Sequence, residues 1–470
     1  MSDVIPGYAV SRLLFERSLA LIYLIAFCCT ANQFVPLLGE HGLLPVPRYI
    51  RHVPFAASPS LFYLAPTDRA FRIAAWVGIA VSTGLLIGLL QRWSWVAVAS
   101  WATLWLLYLS FVNVGQIFYG FGWESLLLET GFFAIFLGAS TTAPSILLLG
   151  IWRWVLFRDM FGAGLIKLRG DSCWRDLTCL NYYFETQPIP NALSWYFHWL
   201  PASVHRAGVA FNHVAELGVP FLYFAPQPIA AIAGFITILF QLSLILSGNL
   251  SWLNWMTIVL CIPTIDDRWL SWLPLSSSAV QMPPLIQRAG IYAVAVAVAI
   301  LSIRPIVNML STRQLMNFSF NPVHLVNTYG AFGSITRVRN EIVLEGTDEP
   351  TITSSTAWHE YEFKGKPGNP ALPPPQIAPY HLRLDWLMWF AAMGSPEEQP
   401  WFPALIVKLL QGDPGTLGLL RTNPFPDRPP RYMRGLYYEY RFTTPDEHRQ
   451  KGDWWKRKLI GVYFGPATLK

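Results

Sequence analysis

Lys167 is the residue in this sequence that most directly suggests chemistry. It lies at the end of an apolar segment notched by glycines, within the stretch MFGAGLIKLRG of residues 160–170. A charged side chain at the centre of a bilayer costs about 2.5 to 3.5 kcal/mol on insertion scales, so an ionisable residue at that depth is by default a functional-site hypothesis. The sequence therefore makes Lys167 the candidate catalytic residue.

The state of Lys167 depends on its neighbours, and the sequence leaves three alternatives open. Desolvation beside Arg158 or Arg169 would produce a neutral amine, available as a base or nucleophile. Pairing with Glu216 or Asp159 would keep the side chain charged and inert. The side chain could also extend from the end of its helix to the membrane interface, which is common for terminal lysines.

Other ionisable side chains also lie in or beside apolar segments. They are Glu124, Glu129, Arg153, Arg158, Asp159, His213 and Glu216. His213 and Glu216 share one helical face at a spacing of three residues. Because such groups do not point into lipid, we expect an internal polar cluster that links these segments. The cluster would either hold the bundle together or form a polar cavity for a ligand or an acid–base group.

Two of the five cysteines lie in a polar loop. Cys173 and Cys179 are close enough to form a disulfide if the loop faces an oxidising compartment, and two free thiols are the alternative. No His or Cys partners stand at ligand spacing, so no metal site is predicted. Cys28, Cys29 and Cys261 lie in apolar segments and are interpreted as packing residues.

The composition indicates a membrane protein with a soluble tail. Of the 470 residues, 53% are hydrophobic and only 13% are charged, which is rare for a soluble chain of this size. Up to Ser319 there are 17 Lys/Arg and 13 Asp/Glu, and the last 151 residues hold the other 17 and 15. Neither part has the dense basic patch typical of nucleic-acid binding. The expected partners are the lipid bilayer, protein, or a small apolar ligand.

Nine apolar runs are long enough to approach or cross a hydrocarbon core of about 30 Å. They are residues 18–38, 72–90, 93–112, 121–138, 145–167, 206–225, 228–247, 250–263 and 287–310. The fourth contains two glutamates and the eighth is short, so we expect seven to nine membrane segments. The first run lacks a cleavage pattern and is interpreted as a membrane helix rather than a signal peptide.

These segments define a predicted transmembrane helical domain over residues 1–319. Within it, residues 168–204 form a long aromatic loop that we expect to fold back on the membrane surface. Arg12 and Arg17 favour an inside N-terminus, but four arginines in the next loop compete: Arg48, Arg51, Arg69 and Arg72. An odd number of spans would place the tail outside.

From residue 320 onward the sequence changes to short alternating stretches bounded by turn residues, which predicts strands. The predicted strands are residues 334–344, 358–363, 435–442 and 458–464, and the predicted helices are residues 381–393 and 400–411. The predicted fold class is therefore a multi-spanning α-helical membrane bundle followed by a β-rich soluble domain over residues 320–470.

Six blocks of the sequence resemble the lipase maturation factor family. They are residues 121–137, 157–191, 320–333, 358–370, 379–392 and 423–443. Animal members of that family are multi-spanning proteins of the endoplasmic reticulum membrane, implicated in folding and assembly of secreted dimeric lipases. Bacterial relatives are similar in sequence.

The resemblance implies a membrane-bound, chaperone-like maturation factor whose partner is an exported client such as a lipase. The host membrane would be the endoplasmic reticulum or a bacterial cytoplasmic membrane, with the tail on the lumenal or periplasmic side. On this hypothesis the disulfide loop faces the client through Asp171, Trp174, Arg175 and Asp176.

A shorter resemblance concerns AGLIKL, residues 163–168, which is similar to the lysine-bearing segment of vitamin K-dependent gamma-glutamyl carboxylases. It implies an alternative function, an integral membrane enzyme acting on a quinone-like or lipid ligand with Lys167 as base. Ile166 stands where that family has a second lysine. The sequence identifies no cofactor, and the maturation factor hypothesis does not require an enzyme.

Overall fold

The computed structural model describes residues 7–275 and 281–469. The part before the tail is built from helices. They are α1 (Ala9–Leu38), α2 (Val46–Tyr49), α3 (Asp68–Leu86), α4 (Ser94–Val114), α5 (Gly122–Ala134), α6 (Ile146–Arg169), α7 (Ser172–Arg175), α8 (Leu180–Thr186), α9 (Ala192–His198), α10 (Ala202–His213), α11 (Ile229–Ser247), α12 (Leu253–Cys261), α13 (Leu285–Leu301) and α14 (Ile303–Leu310).

The chain is an integral membrane protein. Five apolar helical stretches among the described residues are long enough to cross a bilayer: α1, α3, α4, α11, and α13 with α14. The other predicted segments are also helical, but α5 has 13 residues, α12 has 9, and α6 carries Arg153, Arg158 and Asp159. The membrane bundle is thus confirmed, while the count of seven to nine segments stays a prediction.

One end of the bundle is held by polar contacts between the start of α1 and two later connections. Buried Arg12 donates to the carbonyl oxygens of Gly138 at 3.0 Å and Ala139 at 2.6 Å. The Asp267 carboxylate accepts from the backbone N–H of Ala9 at 2.8 Å. Since the first N–H groups of a helix lack intrahelical partners, Asp267 caps α1 and fixes where it begins.

The tail contains a four-stranded antiparallel sheet with the order β2-β1-β3-β4. Its elements are β1 (Arg339–Thr347), β2 (His359–Glu360), α15 (Arg383–Ala391), α16 (Phe402–Leu410), α17 (Pro414–Leu417), β3 (Tyr432–Phe442), α18 (Pro445–Lys451) and β4 (Trp455–Ala467). The four strands and two longer helices are those that the sequence predicts.

The strand boundaries differ from the predicted ones for a local reason. β1 begins at Arg339 rather than at residue 334, because the residues before it pack on the end of α6 instead of on the sheet. The backbone N–H of Asp171 donates to Gly333 O at 2.8 Å there. The second predicted strand pairs with β1 only over His359–Glu360.

The connection after α6 contacts the tail, and its expected position on the membrane surface stays a prediction. Buried Arg339 of β1 donates to the carbonyl oxygens of Glu185 and Pro188, each at 3.0 Å. The Trp389 indole N–H of α15 donates to Thr186 O at 3.0 Å. These contacts satisfy carbonyl oxygens at the end of α8 and attach the connection to the tail.

The membrane helices and the tail share one hydrophobic core. Buried side chains extend without a break from Leu19 of α1 through Trp252 beside α12 to Leu384 of α15 and Leu409 of α16. The transition near residue 320 therefore marks a change of secondary structure. Whether residues 1–319 and 320–470 are separate domains stays a prediction.

Candidate functional site

A cavity of about 830 Å³ lies between the membrane helices and the tail. Residues of α5, α6, α11 and α12 form one wall, and α15 together with residues 330–334 forms the other. A volume of about 300 to 1,000 Å³ is usual for small-molecule sites. The junction of the two parts of the chain thus contains a space of ligand size.

Lys167 lies on the wall of this cavity in a buried ion pair. Its Nζ donates to Glu216 Oε1 at 2.6 Å and to Asn212 Oδ1 at 2.8 Å, and Asn212 Nδ2 donates to Glu216 Oε2 at 2.9 Å. The Nζ also lies 4.9 Å from the centre of the Trp174 ring. The structure therefore shows the paired alternative rather than a free amine.

Irregular backbone presents Glu216 to Lys167. The helix that contains α10 continues into a π turn at Val214–Gly218. Such turns are frequent at functional sites, because the extra residue redirects a side chain. Gly164 of α6 allows the close approach, since a Cβ there would lie 2.7 Å from Leu217 Cδ2 and 3.0 Å from Glu216 Cβ.

Further polar groups line the same wall. The Thr257 hydroxyl donates to Asp159 Oδ2 at 2.8 Å, and Asn254 Nδ2 donates to Gln241 Oε1 at 2.6 Å. The hydrogen bond from Thr257 occupies one oxygen of the Asp159 side chain, and the second oxygen can accept a further one. All four side chains are buried in the protein and line the cavity.

The tail contributes an aromatic wall. Trp386, Trp389 and Phe390 of α15 line the cavity opposite the polar groups. Trp386 is only 4% exposed, and its indole N–H has no hydrogen-bond acceptor among the described residues. The indole nitrogen itself is inaccessible, so Trp386 contributes the apolar part of its ring to the cavity wall.

The exposed rim of the cavity is mixed, because apolar side chains stand there beside Asn317, Ser334 and Glu398. Ile117, Met316, Phe390 and Met393 all line it and are 42%, 46%, 40% and 47% exposed. Ile117 follows the end of α4 and Met316 follows the end of α14. These four residues give the rim an apolar part, whereas the interior around Lys167 and Asp159 is polar.

The predicted polar cluster is divided into separate sites instead of a single network. Glu129 pairs with Arg158, and its Oε2 also accepts from Asn327 Nδ2 at 2.9 Å and from Tyr329 Oη at 2.8 Å. All four side chains are buried. Asn327 and Tyr329 come after the last membrane helix, whereas Glu129 belongs to α5 and Arg158 to α6. This site therefore attaches the tail to both helices.

The remaining predicted members lie elsewhere. Glu124 Oε1 accepts from Arg383 Nη1 of the tail at 2.7 Å. Arg153 donates to Tyr8 Oη at 3.0 Å near the opposite end of the bundle, and His213 Nε2 lies 2.9 Å from Trp174 O. Only Asp159, Lys167 and Glu216 of the predicted set line the cavity.

The loop after α6 contains the disulfide that the sequence presented as one alternative, between Cys173 and Cys179. Both cysteines are buried, at 2% and 0% exposure, and pack with Trp174 and Tyr183. A disulfide so enclosed is a structural one, because thiol exchange requires access to a sulfur atom.

The client-facing prediction for this loop needs one correction. Trp174 does not face outward, because it is 3% exposed and its indole N–H donates to Phe332 O at 2.8 Å. Asp171 is engaged by Arg337 at 2.7 Å. Arg175 and Asp176 are exposed, and their role in facing a client stays a prediction.

Sequence reasoning missed several residues of this site. They are Asn212, Gln241, Asn254, Thr257 and Trp386. Asn212 stands four residues before Glu216, a spacing that places both on one helical face and could have indicated their contact. The other four gave no signal, because neutral polar or aromatic residues in apolar helices are most often packing residues.

Comparison with known proteins identifies the family. Residues 10–272 match the model for the lipase maturation factor transmembrane domain, and residues 325–465 match the model for the lipase maturation factor C-terminal domain. The chain belongs to the lipase maturation factor family. Its similarity to individual lipase maturation factors extends over nearly its whole length.

The relatives include lipase maturation factor 1 of Mus musculus and of Homo sapiens. They are 42% and 41% identical to this chain over 98% of its length and 88% of theirs. Lipase maturation factor 2 of Homo sapiens is 28% identical over 98% of this chain and 83% of its own. No solved structure matches the chain. These comparisons give no support to the carboxylase-related alternative.

Proposed function

We propose that this lipase maturation factor family member is a membrane-bound maturation factor that assists the folding or assembly of secreted lipases or other exported proteins. The observation that carries the proposal is the identity of 41 to 42% with lipase maturation factor 1 along 98% of the chain. Such similarity includes the membrane helices, the connection after α6 and the tail, so the relatives share the whole architecture.

We propose that the tail lies on the lumenal side of the endoplasmic reticulum membrane or on the periplasmic side of a bacterial membrane. The disulfide supports this orientation, because disulfides persist in oxidising compartments. Cys173 and Cys179 lie on the same side of the bundle as the tail, since Ile335 packs against them. An exported client would be accessible on that side.

The surface of the tail that best fits a client is the outer edge of β4. Among the described residues this strand pairs only with β3, so one row of its backbone N–H and C=O groups is unpaired. Leu459, Ile460 and Val462 on it are 52%, 51% and 64% exposed. An exposed apolar edge strand accepts extended peptide by adding a strand. An incompletely folded client offers such segments.

Site-specific photo-crosslinking tests the client proposal. A photoreactive amino acid at Ile460 is expected to crosslink a secreted lipase while the lipase is newly made. The matched control is Gln450, which is exposed but belongs to α18 rather than to β4. Lipase adducts at position 460 and few at position 450 would support the proposal. Equal yields at both positions, or no adduct at 460, would contradict it.

We propose in addition that the cavity holds an apolar small-molecule ligand. The support is its volume of about 830 Å³ and its aromatic wall. The ion pair of Lys167 with Glu216 favours a role in holding the bundle and the ligand, so this proposal assigns no reaction to the lysine.

A further inference from the structure

We infer that the cavity binds an uncharged long-chain lipid bearing hydroxyl groups, of the acylglycerol type, with its polar end at Asp159 and its chain directed to the apolar part of the rim. This inference deepens the proposed ligand-binding role and rests on it. The inferred lipid site does not depend on the lipase client, so the experiment on lipid binding and the experiment on the client can fail separately.

The charges of the polar wall select the head group. Lys167 is already neutralised by Glu216 at 2.6 Å, with Asn212 occupying further hydrogen-bond positions. Asp159 adds a second acidic side chain to the wall. A carboxylate or phosphate head would therefore meet two acidic groups and one satisfied cation. An uncharged head avoids both this repulsion and the cost of burying an unpaired charge.

Asp159 indicates which neutral head fits. Thr257 occupies one oxygen of its side chain, and the second oxygen can accept a hydrogen bond from a ligand in the cavity. A hydroxyl group provides that donor. Hydrogen bonds to charged groups are worth more than neutral ones, so Asp159 is the anchor of the head group.

The polarity gradient of the cavity indicates the orientation. Lys167, Glu216 and Asp159 are only 4%, 3% and 8% exposed, whereas the apolar rim residues defined above are all at least 40% exposed. The rim lies where α4 and α14 end. A lipid in this site would thus lie head inward, with its chain against α15 and its end at the rim.

Equilibrium binding of radiolabelled monooleoylglycerol to the purified full-length chain in detergent tests the inference. We expect saturable binding of one molecule per chain. Oleate, with the same chain but a charged head, is expected to bind at least tenfold more weakly. Equal binding of the two probes would overturn the assignment of a neutral head, and no saturable binding of either would overturn the site.

Two substitutions locate the binding. Ala163→Trp places a large ring on the cavity wall and is expected to reduce affinity at least tenfold. Ala99→Trp on the exposed face of α4 is the matched control and should leave affinity unchanged. Asp159→Asn, which retains an acceptor for Thr257, is expected to weaken binding about tenfold. Equal affinity of Ala163→Trp and Ala99→Trp would contradict the location.

Photolabelling of the unmodified chain gives a second measurement that does not depend on folding of the variants. A monoacylglycerol with a diazirine at the end of its chain is expected to label Met316, Phe390 or Met393 at the rim. Labels confined to outward-facing positions of the bundle such as Trp76 and Val296, both exposed, would show ordinary lipid contact and overturn the inference.

Discussion

Lys167 and Glu216 depend on each other, because both are buried and each is the only opposite charge that contacts the other among the described residues. A buried ion pair contributes little net stability compared with apolar residues of the same size, but loss of one partner leaves an uncompensated charge. This asymmetry distinguishes a structural pair from a catalytic lysine.

Removal of one partner of the ion pair should therefore lower the free energy of unfolding more than removal of both partners. We expect Lys167→Met to lower the free energy of unfolding by about 3 to 5 kcal/mol. The double variant Lys167→Met with Glu216→Leu should recover most of that loss. Thermal unfolding of the purified variants in detergent measures the loss in the single variant and the recovery in the double variant. Lys451→Met on exposed α18 is the control. A double variant less stable than the single one would contradict the pairing.

Asp171 lies outside the membrane segments, and its contact with Arg337 predicts a pH dependence of stability. The Arg337 guanidinium lowers the pKa of Asp171 from its ordinary 3.8 to about 2. A lowered pKa contributes stability that is present above pH 3.8 and is lost as the pH falls through about 2. Asp171 also accepts from the Cys173 N–H at 3.0 Å, which caps α7.

Asp171→Asn separates the two contributions, because asparagine retains the cap and loses the charge. We expect the wild-type chain to unfold at a higher temperature than Asp171→Asn at neutral pH. The difference should stay constant down to about pH 4 and shrink below it. Melting curves of both proteins at several pH values test this, and a difference unchanged at the lowest pH would refute the role of the charge.

The sequence anticipated Asp159, Lys167 and Glu216 of this site and missed the neutral polar and aromatic side chains around them. It presented pairing with Glu216 as one state of Lys167, because both are ionisable groups in apolar segments. It could not predict that Glu124 pairs with Arg383 across 259 residues of chain. It also could not predict that Trp174 is buried beneath Phe332, since burial of a loop tryptophan depends on the tail that covers it.

At the scale of elements, α6 is the helix on which the site depends, and its glycines allow the tail to approach it. A Cβ on Gly162 would lie 2.5 Å from Tyr329 O, and one on Gly170 would lie 2.1 Å from Gly333 O. Both neighbours are backbone atoms at the start of the tail, which cannot move independently of their segment. Side chains at these two positions would separate the tail from the helix.

Two glycines of α6 therefore provide a matched pair of substitutions. We expect Gly162→Ala to lower stability by about 1 to 3 kcal/mol through overpacking. Gly150→Ala in the same helix meets nothing within 4 Å and should be neutral or stabilising, because alanine favours the helix by about 0.5 to 1 kcal/mol. The melting temperatures of the two variants test this prediction. Equal values would show that the close contact of Gly162 with Tyr329 O is unimportant for stability.

The elements themselves were largely predictable, and their spatial relations were not. Period-two alternation located β3 and β4, and hydrophobicity located the five longest membrane stretches. The residues before β1 also alternate, yet they pack on α6 because its glycines accept backbone there. The position of the connection after α6 depends on Arg339, which donates to two of its carbonyl oxygens. The sequence alone does not show which donor those oxygens bind.

At the scale of the whole molecule, the tail and the membrane helices form one body with a cavity at their junction. The buried pairs Glu129–Arg158 and Glu124–Arg383 and the shared hydrophobic core join them. Occupancy of the cavity would therefore affect how firmly α15 is held against α6. The outer edge of β4 lies on the same tail, so client and ligand would act on one connected structure.

Secretion of active lipase tests the central claim most directly. The chain is expressed in cells from which lipase maturation factor 1 has been deleted, together with a secreted lipase, and lipase activity in the medium is measured per amount of lipase protein. We predict that the wild-type chain raises this specific activity and that Ile460→Asp, equally abundant in the membrane, raises it less. Unchanged specific activity in the presence of the folded wild-type chain would contradict the account.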